Sequence, residues 1–195
     1  MPRNPGNSTA TVESVFTHSG RRIIPGAPAS SAVFAADLAE HLSKHSMYRG
    51  ATRGLYTEAQ HCAIVAGELA REQGAEAALY GLLHDADRAY SDWPVHAAPL
   101  KAAIHRAFGL DWPMPASVAA ALARIHAGVE LTELRQLCAG CAPEIERLER
   151  AGAVPLKSLI RPLGWDRAQD RFVEALRCYA KLALPRDLDV FGGIV

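Results

Sequence analysis

The stretch Ala75 to Asp87 constrains this chain more than any other, because it is apolar at almost every position. A helix built from it has no solvent face over most of its length, so other elements must enclose it. The run ends on His84 and Asp85, and a second histidine, His61, lies 23 residues before His84 in another helical pattern. Adjacent helical residues point about 100° apart. His84 and Asp85 therefore reach one metal ion together only where the ion sits at the helix edge, facing a groove, with His61 converging from the neighbouring helix.

The flanking pattern supplies that neighbour. Thr57 followed by Gln60 is a capping-box signature, and Ala63, Ile64, Ala66, Leu69 and Ala70 continue an apolar face. This predicts a helix from Glu58 to about Gln73, with His61 in its first turn and Gly74 as its stop. Upstream, Val33, Phe34, Leu38 and Leu42 predict a first helix from Ala32 to near Lys44, followed by a Gly- and Arg-bearing loop from Met47 to Tyr56. Downstream, Pro94 and Pro99 frame a loop, Leu100 to Phe108 forms a short helix, and Pro113 to Pro115 is a break. Ser117 to Leu137 reads as a long helix with His126 projecting from its middle, and further helices are expected over Pro143 to Arg150 and Arg167 to Leu184. Residues 1–31, rich in Gly, Pro, Ser and Asn, read as an irregular arm with a short strand pair around Val15 and Ile23-Ile24. The expected fold class is all-α, a single helical domain over residues 32–195 with the N-terminal arm packed on it.

Composition narrows the function classes. The 195 residues, 49% of them hydrophobic, suffice for one compact core. With 21 Lys and Arg against 21 Asp and Glu, the formal charge is zero, which makes nucleic acid an unlikely partner. No apolar run approaches the roughly 20 residues that span a bilayer. Met1 to Ala10 also lacks a signal pattern, so the expected location is the cytoplasm, with no membrane partner. Four irregularly placed cysteines do not make a disulfide framework, and Cys138 and Cys141 form an isolated CxxC that is not read as a zinc site. Trp93, Trp112 and Trp165 lie in loops and are expected to plug the core. The apolar segment Val190 to Val195 is either another plug or a homodimer contact.

His61, followed by Leu82-Leu83-His84-Asp85-Ala86 in an all-helical chain of this length, resembles the HD-domain metal-dependent phosphohydrolases. The nearer resemblance is to the small bacterial and phage branch related to 5'-deoxynucleotidases. It extends to Thr17 to Arg21, Asp37 to Ala39, Gly54 to His61, Ala86 to Pro94 and Leu131 to Arg135. In that family two histidines and an aspartate, with a further aspartate from a later helix, hold a divalent metal that activates water against a phosphate ester. The resemblance implies His61, His84 and Asp85 as ligands, and His126 stands at the position of the last aspartate. A histidine adds no negative charge there, which favours Zn, Fe, Co, Ni or Mn over Mg.

The chain also departs from the family pattern. Arg88 stands where the branch has a glutamate four residues after the motif histidine. Asp87 offers a carboxylate one residue earlier and Asp92 another in the following turn, so these two are the candidate catalytic residues. Met47-Tyr48-Arg49-Gly50-Ala51 replaces the family's Arg-aromatic-x-Gly-His, leaving Arg49, Arg53 and Arg88 as candidate phosphate-binding residues. Glu130 and Glu133 follow His126 by four and seven residues, and Glu133 is expected to anchor its helix through an arginine. The implied function is hydrolysis of a small phosphorylated metabolite, most readily a nucleotide.

Two other readings stay open. One is an HD scaffold that binds a nucleotide or a protein partner without turnover, which Arg88, Ala51 and His126 favour. The other is a two-iron oxygenase, for which the spare histidines are His96 and His105. Without any metal, Asp85 would simply orient His84 at a helix end, and His126 would make one hydrogen bond in the core.

Overall fold

The structure, a computed structural model, describes residues 13–184. The start of the N-terminal arm and the segment Val190 to Val195 lie outside the described residues. Strands β1 (Val15–Phe16) and β2 (Arg22–Ile23) pair antiparallel, with Val15 opposite Ile23. The helices are α1 (Ala35–Lys44), α2 (Glu58–Leu83), α3 (Pro94–Ala107), α4 (Ala116–Leu137), α5 (Ala142–Arg150) and α6 (Trp165–Ala183). The fold is all-α, as the periodicity requires, and among the described residues the one small sheet is the strand pair expected in the arm.

The decisive local event lies inside α2. Gly74 has φ 85° and ψ −171°, a combination essentially restricted to glycine, and it divides α2 into limbs over 58–73 and 75–83. On an unbroken helix the 23 residues between His61 and His84 would span about 34 Å. Their Nε2 atoms instead lie 3.3 Å apart, so the chain reverses at Gly74. The limbs meet closely at Gly81, where a Cβ would fall 2.5 Å from Leu69 Cδ1 and 3.2 Å from Ala66 Cα.

Packing follows from which faces are apolar. The second limb, with Ala77 to Leu83 wholly buried, is enclosed by α1, α3 and α6 through Leu38, Leu42, Leu100, Ile104, Phe172 and Leu176. The first limb turns Val65 and Leu69 towards Ala121, Leu122, Ile125 and Val129 of α4. A third cluster joins Met47 and Tyr56 to Leu131, Leu134, Leu137 and Leu148. The hairpin is tied to α1 by buried Asp37, which accepts the Ser19 N–H and hydroxyl, both at 2.7 Å. Among the described residues no helix is long and apolar enough to cross a membrane.

Several boundaries differ from the sequence expectation. The second limb stops at Leu83 rather than Asp87: His84 is still helical, Asp85 moves to φ −114° and ψ 16°, and a 3-10 turn covers Ala86–Ala89. Side chains take the carbonyls that this ending frees, since His84 Nδ1 donates to Gly81 O at 2.7 Å and Lys101 Nζ donates to His84 O. Helix α3 begins at Pro94 rather than Leu100, because proline's fixed φ suits a first helical position, and Pro99 lies inside it. Helix α1 begins at Ala35 rather than Ala32, after a 3-10 turn over Ser30–Ala32. Trp93 is 65% and Trp165 47% exposed, so neither is a core plug; both sit at helix N-termini on the surface.

Candidate metal centre

The reversal at Gly74 brings the start of one limb to the end of the other, and α4 crosses the first limb beside them. The result is a cluster of His61, His84, Asp85 and His126 whose ligand-capable atoms all lie within 4.8 Å of one another. Because the helix has ended, Asp85 is not held 100° away from its neighbour. Its Oδ2 lies 3.2 Å from His84 Nε2. The His126 ring is 5.0 Å from that of His61 and 5.2 Å from that of His84.

Hydrogen bonds at the back of the rings determine what their front atoms can do. Gly81 O can only accept, so His84 Nδ1 carries a hydrogen and Nε2 faces the cluster. On the other ring, His61 Nδ1 lies 2.7 Å from Glu133 Oε1. Glu133 is fully buried and also accepts the hydroxyls of Tyr48, at 2.6 Å, and Tyr56. Burial alone would raise the Glu133 carboxyl, but the charge of His61 and these hydrogen bonds outweigh it and hold the carboxyl low. Ionised Glu133 then fixes His61 with Nδ1–H outward and Nε2 inward, an arrangement that orients many metal-bound histidines.

The charges are set accordingly. Burial disfavours a proton on His61, yet Glu133 overrides it and pushes the imidazole up to about 9. Burial pushes His126 down to about 4, with His61 and His84 adding to the effect, so its ring is neutral. Burial would raise Asp85, but His84, His61 and Lys101 hold it well below the usual carboxylate range. Two Nε2 atoms 3.3 Å apart, each with its Nδ1 hydrogen committed elsewhere, are bridged either by one proton or by an ion. Tetrahedral coordination with bonds of about 2.0–2.1 Å separates ligand atoms by about 3.3–3.4 Å. The His61–His84 and His84–Asp85 separations match that spacing, and three imidazoles with one carboxylate suit a borderline transition metal.

A cavity of about 330 Å³ opens onto the cluster, lined by His61, Asp85 and His126 together with Met47, Tyr48, Arg49, Arg88 and Glu130. Tyr48 and Arg49 reach it from consecutive left-handed backbone positions, φ 52° and φ 53°. Such conformations cost non-glycine residues about 1–3 kcal/mol each. Here the turn directs Tyr48 to Glu133 and Arg49 to the cavity.

The remaining sequence candidates divide. Arg49 and Arg88 also line a second cavity of about 420 Å³, shared with Asp87 and Asp92. Lys101 Nζ ties Asp87, at 3.4 Å, to Asp85, at 3.7 Å, and burial raises the Asp87 carboxyl. Asp92 is exposed and lies 3.3 Å from His45 Nε2. Arg53 is exposed and lines neither cavity.

Two carboxylates were misjudged or missed by sequence reasoning. Glu133 binds His61 and two tyrosines rather than an arginine, because its face of α4 is covered by the loop 47–56. Glu58 had no assigned role, yet it is fully buried and lies 2.9 Å from Arg88 Nη1. Its position three residues before His61, one turn along the same helix face, was the available signal. Comparison with protein-family models and with curated proteins finds no match to this chain.

Proposed function

We propose that this chain is a metal-dependent phosphohydrolase of the HD-domain kind it resembles, acting on a small phosphate ester such as a nucleotide. The observation that carries this reading is the convergence of His61, His84, Asp85 and His126 at the wall of a cavity that also holds Arg49. A divalent ion held by those four residues, its coordination expanded beyond four to admit water, would lower the pKa of that water and neutralise a phosphate oxygen. Zn, Fe, Co, Ni or Mn suits the donor set better than Mg.

The chain's own residues divide the remaining work. Arg49 has no ion-pair partner among the described residues, so its guanidinium is free for the non-bridging phosphate oxygens. Arg88 lines the same cavity with part of its charge committed to Glu58. Asp87 lines the neighbouring cavity rather than this one and is joined to the cluster through Lys101, which pairs with both Asp87 and Asp85. Glu130 lines the cavity with its carboxyl raised by burial, which suits it to return a proton to the leaving oxygen.

The test is elemental analysis of protein purified without chelator, wild type beside His84→Ala, followed by phosphate release from nucleoside monophosphates with added Mn²⁺ or Co²⁺. The expected result is near-stoichiometric metal that is lost in the variant, together with metal-dependent phosphate release. Protein that takes up none of these metals would overturn the reading. Metal uptake with no phosphate released from any ester would favour a binding scaffold without turnover, which the Arg88–Glu58 pair at the motif glutamate's position also favours.

A further inference from the structure

We propose that the second cavity, beyond Arg49 and Arg88, is a nucleobase subsite with the indole of Trp93 as its stacking platform. Only the phosphate end of this inference rests on the phosphohydrolase reading. Arg49 and Arg88 line both cavities, so a ligand whose phosphate lies between them and the metal cluster extends naturally into the second one. Its volume of about 420 Å³ suits a ring system and part of a sugar.

Trp93 lines that cavity with 65% of its surface exposed, and among the described residues no other ring or cation packs on it. Its backbone is nevertheless anchored. Its backbone N–H donates to Ser91 Oγ at 3.1 Å, Ser91 Oγ is 2.9 Å from His96 Nδ1, and Trp93 is the cap of α3. An uncovered indole on an anchored backbone, beside an anion-holding pair of arginines, is a stacking surface for a planar ring.

The polar lining defines the edge that such a ring must present. Asp87 is nine-tenths buried, and its Oδ1, although 3.4 Å from Lys101, has no hydrogen-bond partner. Asp92 adds a second carboxylate at the exposed side. A carboxylate oxygen without a partner accepts hydrogen bonds, so the fitting occupant carries donors, such as the amino group of adenine or cytosine or the hydroxyls of ribose.

The test measures binding by calorimetry in the presence of Mn²⁺, for adenosine 5'-monophosphate and ribose 5-phosphate, with wild type, Trp93→Ala and Trp93→Phe. In wild type the nucleotide should bind roughly tenfold or more tightly than the sugar phosphate, the scale of one aromatic stacking contact. Trp93→Ala should abolish that preference, and Trp93→Phe should keep most of it. A preference that survives in Trp93→Ala, or a wild type with none, overturns the subsite. Phosphate release from ribose 5-phosphate by wild type reports on the hydrolase reading separately, because that substrate has no base to stack.

Discussion

Glu133 shows how much of a candidate metal site can lie outside the residues that could bind the ion. Its carboxylate fixes the tautomer of His61 and holds the hydroxyls of Tyr48 and Tyr56. Replacing it by Gln keeps the shape but removes the charge that holds His61 in place. Glu133→Gln is expected to weaken metal binding about 10–100-fold, the usual cost of losing such a partner. Competition with a chelating indicator would read this, and unchanged affinity would sink the assigned role. His126→Asp tests the ligand set from the other side, since a second carboxylate adds negative charge and oxygen character. The variant should gain affinity for Mn²⁺ and Mg²⁺ relative to Zn²⁺ in side-by-side titrations.

At the scale of elements, the His-Asp cluster depends on one backbone angle pair. Gly74 has open space around it, so an added methyl meets nothing, yet its φ of 85° is one that L side chains rarely adopt. Gly74→Ala should therefore destabilise the fold by about 1–3 kcal/mol through the backbone alone. Equilibrium urea unfolding would show this as a lower midpoint with an unchanged slope. The stop at Gly74 was legible in the sequence, because glycine between a helical apolar face and a nearly continuous apolar run ends a helix. The end of the second limb was not. Its last turn is decided by Lys101 reaching His84 O from α3, a contact that local pattern does not encode. The start of α3 also differs from the sequence expectation: two prolines five positions apart look like a loop, but the first of them is well suited to begin a helix.

For the whole molecule, burial of neutral imidazole predicts how stability responds to acid. His105 is completely buried against Tyr80 and Trp112, its Nδ1 donates to Lys101 O, and burial pushes it down to about 4. An unfolded chain takes up this proton near the ordinary value of 6.5, whereas the folded chain resists it until about 4. Between those values the unfolded state binds more protons, so the stability that His105 contributes is complete above about pH 6.5 and is lost as pH drops towards 4. The His105 share is on the order of 3 kcal/mol, at about 1.4 kcal/mol per unit. Chemical denaturation of chelator-treated protein at several pH values should show a shallower acid decline in His105→Gln than in wild type. Equal declines would remove His105 as the source.

The all-α class and the stop at Gly74 were determined by the sequence itself, and the resemblance grouped His61 with His84 and Asp85. Helical periodicity, a cap at Thr57 and a glycine stop are local properties, and a buried limb ending in His-Asp leaves few places for the other histidine. Only the tertiary structure decided that Glu133 orients His61, that Arg88 pairs with Glu58, that Arg53 lies outside both cavities and that Trp93 stays uncovered beside Asp87 and Asp92. These outcomes join residues tens of positions apart, and they depend on which faces of α2, α4 and the loop 47–56 pack together. A charged or aromatic side chain takes its role from the partner that packing brings within reach, and that partner is not written in its own segment of the chain.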